Sequence, residues 1–353
     1  MKLVKHTFSF IATLLGFVPL ASWGAEELPG KPVTIGNPAE AAQLPSALLA
    51  AYAGGARDIT ISPGIYVLPA TGRNTIELIS WKNVRVQARG VTLVFEELTR
   101  RPVYLRDCDG VTLEGAVLRF ARPAFTQGRI VEMGRDDRGD YLDWRIDAGY
   151  STDLDPVKST FDVADQSTRL IKEDTGDVGF RECAPLGDGR FRLRQSHGRL
   201  GPAAVGDWLF TRIKPCEPVV QLDRSSRCIM RDVTLENAGF AAFFETHGEG
   251  GHLYVGCKVA PGPRPVDATE DTLVGCGADG FHSAGVRVGP TLDRCVWEGL
   301  LHDDCIAIHG YLQNVEQVEG DKLILEKGNR GGFVVGEPVR ISGKDGFFGE
   351  FTC

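Results

Sequence analysis

Three segments of the sequence align without a gap: Met230-Arg-Asp-Val-Thr-Leu-Glu-Asn237, Tyr254-Val-Gly-Cys-Lys-Val-Ala-Pro261 and Leu292-Asp-Arg-Cys-Val-Trp-Glu-Gly299. A second alignment sets Asp279-Gly-Phe-His-Ser-Ala over Asp304-Cys-Ile-Ala-Ile-His, 25 residues later. Repeats of about 20–30 residues with one or two strands each are typical of a parallel β-helix, in which each coil buries its inward side chains under the next. The alignments predict one column of Val233, Cys257 and Cys295, and an inward column of Phe281, Ile306 and Ile308.

The first part of the sequence agrees with this interpretation. Short runs alternate apolar and polar residues, as half-buried strands do: Ile59-Thr-Ile61, Val84-Arg-Val86, Val91-Thr-Leu93 and Val111-Thr-Leu113. Helical periodicity is confined to residues 40–53, which we expect to form a short helix over the first coil. The fold predicted is therefore all-β, a right-handed parallel β-helix. The alternative is a β-sandwich with coincidental spacing.

Two stretches lack the coil period and resemble each other. Asp188-Gly-Arg-Phe-Arg-Leu precedes Val205–Lys214, and Asp321-Lys-Leu-Ile-Leu precedes Val335–Lys344. We interpret both as small antiparallel β-barrels inserted into the helix. The predicted domains are N-terminal coils over residues 25–129, an inserted barrel over 130–214, coils with the active site over 215–311, and over 312–353 the start of a second, incomplete barrel.

The N-terminus predicts export. Lys2 and Lys5 precede an apolar run from Phe8 to Leu20, with a plausible cleavage after Gly24, so residues 1–24 are expected to be a signal peptide and the protein secreted or periplasmic. This run is shorter than the roughly 20 residues that span a bilayer, and no other segment could cross one, so no membrane span is expected after cleavage.

The net charge and the cysteine content limit the classes of ligand and cofactor that the protein is expected to bind. The net charge is −8 and no basic stripe is present, which argues against nucleic acid. Nine cysteines suit an oxidising compartment, and none has the spacing of a zinc site. We expect no metal and no cofactor, and the sequence leaves the oligomeric state open.

The strongest candidate site joins Gly277–Ser283 to His302–Gly310. Coil stacking would place Asp279 and Asp304 on neighbouring coils, about 4.8 Å apart in the main chain, with Asp303 beside them. Three carboxylates so close cannot all ionise easily, so one should hold a proton near neutral pH. A general acid beside an ionised base is what glycoside hydrolysis needs. The alternative is a ladder of aspartates that caps the turns.

Other residues are weaker candidates. The predicted substrate-binding residues are His282, His309, Glu245, His247 and Arg287. Trp297 is interpreted as a core residue and not as a platform for a sugar. The cysteines Cys257, Cys295 and Cys305 are interpreted as buried coil residues and not as nucleophiles.

These motifs resemble two known families. Asp279-Gly-Phe-His followed by Asp303-Asp-Cys-Ile-Ala-Ile is similar to the core of the polygalacturonases, although Gly277-Ala278 replaces the Asn-Thr of that family and its later motifs for uronate binding do not follow Asp304. A better resemblance, over most of the chain after residue 100, is to glycoside hydrolase family 110, the inverting α-1,3-galactosidases. Its matching features are Pro123-Ala-Phe-Thr-Gln-Gly128, Gly248-Glu-Gly-Gly-His252, Ala278-Asp-Gly-Phe-His-Ser283, Gly289-Pro290 and His302-Asp-Asp with Ile308-His-Gly-Tyr311.

This resemblance implies a β-helix with barrel insertions, Asp303 and Asp304 as the catalytic pair, and an oligosaccharide or polysaccharide substrate with α-linked galactose. Alternatives stay open: a polygalacturonase-like pectin hydrolase, a polysaccharide lyase or epimerase, and a carbohydrate-binding β-helix without catalysis. A lyase would use Ca²⁺ and a basic residue, for which only Arg287 and Arg294 lie in the two coils of the site.

Overall fold

The computed structural model describes residues 31–69, 72–153, 155–213, 215–311, 313–326, 335–336, 338–343 and 346–352. The predicted signal peptide, residues 1–24, lies outside this part of the chain. Among the residues so described, no helix has the length and apolar character that a membrane crossing requires.

The chain starts with strands and one short helical segment. The elements are β1 (Val33–Ile35), a 3-10 helix (Pro38–Gln43), α1 (Leu44–Ala53), β2 (Asp58–Ile61), β3 (Gly64–Leu68), β4 (Asn74–Ile79), β5 (Lys82–Gln87), β6 (Val91–Phe95), β7 (Arg101–Arg106), β8 (Asp109–Glu114) and β9 (Val117–Phe120). Asn37 caps the 3-10 helix, since its Oδ1 accepts from the Ala39 N–H at 3.1 Å. Leu44 and Leu48 bury one face of α1 in the core, which confirms the helix predicted over residues 40–53.

A closed antiparallel barrel follows β9. Its strands are β10 (Phe125–Asp136), β11 (Gly139–Ile146), β12 (Thr160–Ala164), β13 (Gly176–Gly187), β14 (Arg190–Arg199) and β15 (Trp208–Arg212), with a 3-10 turn at Pro156–Lys158. They close in the order β10-β11-β14-β13-β12-β15. The barrel thus occupies the stretch in which the sequence lacks the coil repeat, while the domain boundaries drawn from the sequence stay predictions.

Short strands resume after the barrel. They are β16 (Val220–Asp223), β17 (Ile229–Arg231), β18 (Thr234–Glu236), β19 (Phe243–Thr246), β20 (Leu253–Val255), β21 (Lys258–Ala260), β22 (Val274–Cys276), β23 (Phe281–Ala284), β24 (Thr291–Asp293), β25 (Val296–Trp297), β26 (Leu300–Leu301) and β27 (Ile306–His309). Two antiparallel hairpins follow, formed by β28 (Val315–Glu319) with β29 (Lys322–Leu325) and by β30 (Pro338–Gly343) with β31 (Gly346–Thr352). The second barrel predicted there stays a prediction.

Three parallel sheets hold most of the strands outside the barrel. Sheet A has the order β1-β2-β5-β8-β17-β20-β24, sheet B β3-β6-β9-β18-β21-β25, and sheet C β4-β7-β16-β19-β23-β27. From β2 onward the chain visits A, B and C in turn, and we call one such passage a coil. The all-β prediction is confirmed, and parallel pairing does not fit the β-sandwich alternative. The winding of the coils as a β-helix is taken up below as a proposal.

The barrel interrupts the coils without displacing them. Strand β16 follows the barrel in sequence, yet it pairs with β7, which precedes the barrel, with Val220 opposite Val103. In the same way β17 pairs with β8 and β18 with β9. The coils on either side of the insertion therefore stack directly on one another.

The register confirms the predicted alignments. Met230, Tyr254 and Leu292 are successive partners in sheet A. Phe281 lies opposite Ile306, which reproduces the offset of 25 residues. Backbone hydrogen bonds from Lys258 N to Val233 O and from Val296 N to Cys257 O also place the predicted cysteine column in line.

Two side chains of the last coil are not buried, although the register places them in the predicted inward column. Ile306 and Ile308 are 46% and 57% exposed, because β27 is the edge strand of sheet C and no described strand covers it. Cys305 is exposed for the same reason, although Cys257 is buried as expected and Cys295 is partly buried. Phe281, one coil earlier, is completely buried.

The turn after sheet C has a left-handed residue in each coil from β4 to β23. The residue directly after each strand from β4 to β19 in sheet C has a positive φ: Ser80 (58°), Asp107 (54°), Arg224 (47°) and His247 (56°). The corresponding residue after β23 is Gly285, at 66°. This conformation turns the chain out of sheet C, and it places His247 at the corner of its coil.

The described residues form two apolar clusters. One lies between the three sheets and includes Tyr66, Phe243, Tyr254 and Phe281. The other fills the barrel with side chains such as Trp144, Phe161, Phe180 and Phe210, and it also takes in Ala268, Leu273 and Val274 from the loop after β21. That loop therefore attaches the barrel to the coils.

Candidate active site

Three aspartates meet where two neighbouring strands of sheet C begin. Asp279 precedes β23, while Asp303 and Asp304 precede β27. The Gly280 N–H donates to Asp304 O at 3.0 Å, which fixes the two segments side by side. One carboxylate oxygen from each aspartate lies within 4.8 Å of the other two. The prediction that coil stacking brings Asp279 and Asp304 together is confirmed.

The three carboxyl groups have different surroundings. Asp279 is 6% exposed, whereas Asp303 and Asp304 both reach solvent. The Asp304 N–H donates to Asp303 Oδ1 at 3.1 Å. Partial burial of the carboxyl group, followed by the negative charges of Asp279 and Asp304, raises the pKa of Asp303. Asp303 is therefore a candidate for the protonated member of the cluster that the sequence argument expected.

A row of hydrogen bonds leads away from Asp279 along the strands. Asp279 Oδ2 lies 2.6 Å from His282 Nδ1, His282 Nε2 lies 3.0 Å from His309 Nε2, and His309 Nδ1 lies 2.8 Å from Gly310 O. These contacts place the imidazoles of His282 and His309 beside the aspartate cluster, and the substrate-binding role predicted for both stays a prediction.

His247 lies further along the same face. Its Nδ1 is 3.3 Å from Asp223 Oδ1, and its ring stacks on Tyr311 with the centroids 5.3 Å apart. Tyr311 in turn meets His309 edge-on at 6.4 Å. Tyr311, which sequence reasoning did not select as a site residue, thus joins His247 to the histidine row.

Arg287 lies at the other end of strand β23 from Asp279. Its side chain, which is 49% exposed, has Nε 3.5 Å from Glu249 Oε2. The substrate-binding role predicted for Arg287 stays a prediction.

Glu245 points into the interior instead of the cleft. It is completely buried, with Oε1 accepting from Ser283 Oγ at 2.7 Å and Oε2 from the Tyr254 hydroxyl at 3.1 Å. Burial raises the pKa of this carboxyl to about 7. The prediction that Glu245 binds substrate is therefore wrong, because a substrate outside sheet C cannot reach an inward side chain. Strand alternation already gave the signal, since Glu245 is two residues from the inward Phe243.

Two basic residues near the cluster were not identified from the sequence. His302 directly precedes Asp303 and is bonded to Asp162 of the barrel. Arg212, at the end of β15, has Nη1 3.5 Å from Gly277 O. Both depend on contacts between the barrel and the coils, which no local pattern predicts. Trp297 is partly buried against the core, in agreement with its interpretation as a core residue.

The aspartate cluster also offers the oxygen ligands that Ca²⁺ prefers. Three oxygens within 4.8 Å could share one ion. Oδ2 of Asp279, however, already lies 2.6 Å from His282 Nδ1. Acidic residues are common at such turns without a bound metal, so the cluster by itself does not identify a metal centre.

Comparisons with known proteins give a distant relationship. No family model matches the chain. A curated protein, alpha-1,3-galactosidase B from Akkermansia muciniphila, is 24% identical over 259 residues. The matched region covers 69% of this chain but only 31% of the length of that protein. This similarity supports a relationship to a galactosidase-like glycosidase.

Proposed function

We propose that the protein is an exported, inverting glycoside hydrolase that removes α-linked galactose from an oligosaccharide or polysaccharide. The observation that carries the proposal is the cluster of Asp279, Asp303 and Asp304, with the raised pKa of Asp303. Glycosidases require one protonated and one ionised carboxyl group at the scissile bond. We also propose that sheets A, B and C wind into a right-handed parallel β-helix, since the chain visits them in a constant order.

In the proposed reaction Asp303 donates its proton to the glycosidic oxygen as the bond to the anomeric carbon breaks. An ionised Asp304 or Asp279 takes a proton from the water that attacks the opposite face of that carbon. The row through His282 and His309 holds Asp279 in place and supplies donors for sugar hydroxyl groups. Before the next turnover Asp303 must regain a proton and the base must release the proton that it took from water, and the exposure of Asp303 permits this exchange with solvent.

Inversion rests on the family resemblance and not on the spacing. The closest oxygens of the cluster lie within 4.8 Å, whereas the carboxyl groups of inverting pairs stand about 6.5–9.5 Å apart and those of retaining pairs about 5–5.5 Å. The attacking water of an inverting mechanism would therefore have to enter between carboxyl groups that stand closer together than those of inverting pairs. Export likewise rests on the N-terminal sequence, and the galactose specificity on the resemblance and on the name of the matched relative.

A panel of α-galactosides and oligogalacturonides tests this function. We expect release of galactose from α-1,3-linked substrates and no release of galacturonate. Release of galacturonate would favour a polygalacturonase-like enzyme. Sugar binding without turnover, retained in Asp304→Asn, would favour a carbohydrate-binding module.

A calcium-dependent lyase is the second candidate, and it is favoured by the three carboxylate oxygens and by the approach of Arg212 to Gly277. For the proposed hydrolase, treatment with EDTA should leave turnover unchanged, because protonation and water attack need no metal. For a lyase, EDTA would abolish turnover, added Ca²⁺ would restore it, and the products would absorb in the ultraviolet through their new double bond.

A further inference from the structure

The residue before Asp303 connects the cluster to the barrel. The His302 side chain is 6% exposed, and its Nδ1 is hydrogen-bonded to Asp162 Oδ2 on barrel strand β12. The Asp162 side chain is itself only 10% exposed. A contact this well buried holds two side chains that are 140 residues apart in the chain.

Neighbouring contacts fix the same region. Phe210, the partner of Asp162 across strands β12 and β15, meets the His302 ring edge-on with the centroids 6.2 Å apart. The His302 N–H donates to Cys276 O at 3.2 Å. His302 is thus held by the barrel through its side chain and by the preceding coil through its backbone.

The His302–Asp162 pair is not needed merely to attach the barrel. The loop after β21 already does so, with Leu273 N donating to Gln127 Oε1 at 3.0 Å and the Tyr150 hydroxyl 3.3 Å from Thr272 Oγ1. A buried polar pair also gains little net stability over apolar side chains of the same size, because both groups lose their hydration. What such a pair does provide is a fixed direction for the backbone next to it.

A fixed backbone direction matters at Asp303 and Asp304 because they precede β27, which is an edge strand. Ile306 and Ile308, just beyond the aspartates, are largely exposed, so the described structure gives the Asp303–Asp304 segment a neighbour on one side only. A bond from the barrel to His302 restrains this segment from a second direction.

We propose that His302 and Asp162 are positioning residues, through which the inserted barrel fixes Asp303 and Asp304 against Asp279. This inference rests on the proposed hydrolase function, and it makes the barrel a part of the active site although its side chains need not touch the substrate. Neither His302 nor Asp162 takes part in the proton transfers.

Kinetics of Asp162→Asn and His302→Gln test the positioning. Each variant keeps a polar side chain of similar size but removes one partner of the His302–Asp162 hydrogen bond. A displacement of about 1 Å at a catalytic group can cost about 100-fold in rate, so we expect kcat to fall roughly 10–100-fold while KM changes less than about twofold. The double variant should be no worse than the worse single variant, because both changes break one contact.

The matched control is Lys172→Gln. It breaks another ion pair of the barrel, between Lys172 Nζ and Asp207 Oδ2 at 2.5 Å, on groups that are 20% and 1% exposed. This variant should melt at a lower temperature with unchanged kcat. If it loses as much kcat as Asp162→Asn, the effect is general destabilisation and the positioning role is refuted.

Hydrogen–deuterium exchange supplies a readout that does not need turnover. We expect faster exchange at residues 300–309 in Asp162→Asn, with the barrel strands still protected. Unchanged exchange there, or wild-type kcat in both variants, overturns the inference. If the wild-type protein hydrolyses no galactoside, the proposed function fails, while the exchange experiment still decides whether the barrel restrains this segment.

Discussion

At the scale of single residues, the environment of each carboxyl group assigns its role. Asp303 reaches solvent, and partial burial with two neighbouring negative charges raises its pKa. Glu245 has a raised pKa too, but it is shut inside the core on Ser283 and Tyr254. A raised pKa therefore marks a catalytic candidate only where the group also opens to a cleft, and the two residues make different predictions.

Asp303→Asn and Asp304→Asn should each lower kcat about 10²–10⁴-fold, the usual contribution of a general acid or base. Both replacements are isosteric, so the melting temperature should stay close to that of the wild type. Asp293→Asn, on the partly exposed ion pair with Arg294 in sheet A, is the control and should keep wild-type kcat. Wild-type rates in both cluster variants would show that the site is elsewhere.

Glu245→Gln should change stability and its pH dependence. The pKa of Glu245 is about 7 in the folded protein, compared with 4.5 for a free side chain, so the unfolded state loses this proton first. Ionisation therefore costs stability progressively from about pH 4.5 to 7, up to roughly 3 kcal/mol. Gln carries no charge and keeps one acceptor oxygen, while its NH2 group donates, so one of the two hydroxyls of Ser283 and Tyr254 must then accept instead of donate.

We therefore expect the variant to gain stability over the wild type as pH rises through this range, and to gain no more above about pH 7. Burial lowers the pKa of His252 to about 4, and this makes the stability of the protein rise with pH over part of the same range. Denaturation curves of the variant and the wild type must therefore be compared at each pH. A variant that is less stable than the wild type at pH 8 would mean that Glu245 is held as an ion.

At the scale of elements, the sequence predicted the repeat of the coils but not the contacts between the coils and the barrel. The matching residue pattern of the aligned segments gave the register of Tyr254 on Leu292 and of Phe281 on Ile306, because stacked coils bury equivalent positions. The approach of Asp279 to Asp304 follows from the same register. The bond from His302 to Asp162 was not readable, since it depends on how the barrel sits against the coils.

Strand alternation explains the remaining errors at this scale. Glu245 was expected to bind substrate, yet its position in β19 directs it inward, and its hydrogen bonds make that burial tolerable. Ile306 and Ile308 were expected inside because of the same alternation, but burial also needs a covering strand, which the described part of the chain lacks.

Replacing residues 122–217 by a short Gly/Ser linker tests the insertion. Because β16 pairs with β7 across the barrel, a crystal structure of this variant should retain Val220 opposite Val103 and the other parallel pairs. Its kcat should fall at least as far as that of Asp162→Asn, since the restraint on His302 is lost. Loss of the parallel pairs would show that the barrel is required to form the coils.

At the scale of the whole molecule, the stacked coils and the barrel both contact the short segment that contains His302, Asp303 and Asp304. Sheet C supplies Asp279 and the histidine row, the edge strand supplies Asp303 and Asp304, and the barrel holds the residue before them. In the proposed mechanism the three carboxyl groups can act together only when all three parts are assembled. The central claim is that this assembly hydrolyses an α-galactoside with inversion.

Proton NMR spectroscopy during hydrolysis of an α-1,3-linked galactoside tests that claim most directly. The anomeric proton distinguishes the two forms of galactose before mutarotation mixes them. The account predicts that the β-anomer is released first and that the α-anomer appears later, at the rate of mutarotation. Initial release of the α-anomer would indicate a covalent intermediate and contradict the inverting mechanism, and a complete absence of free galactose would contradict the proposed function itself.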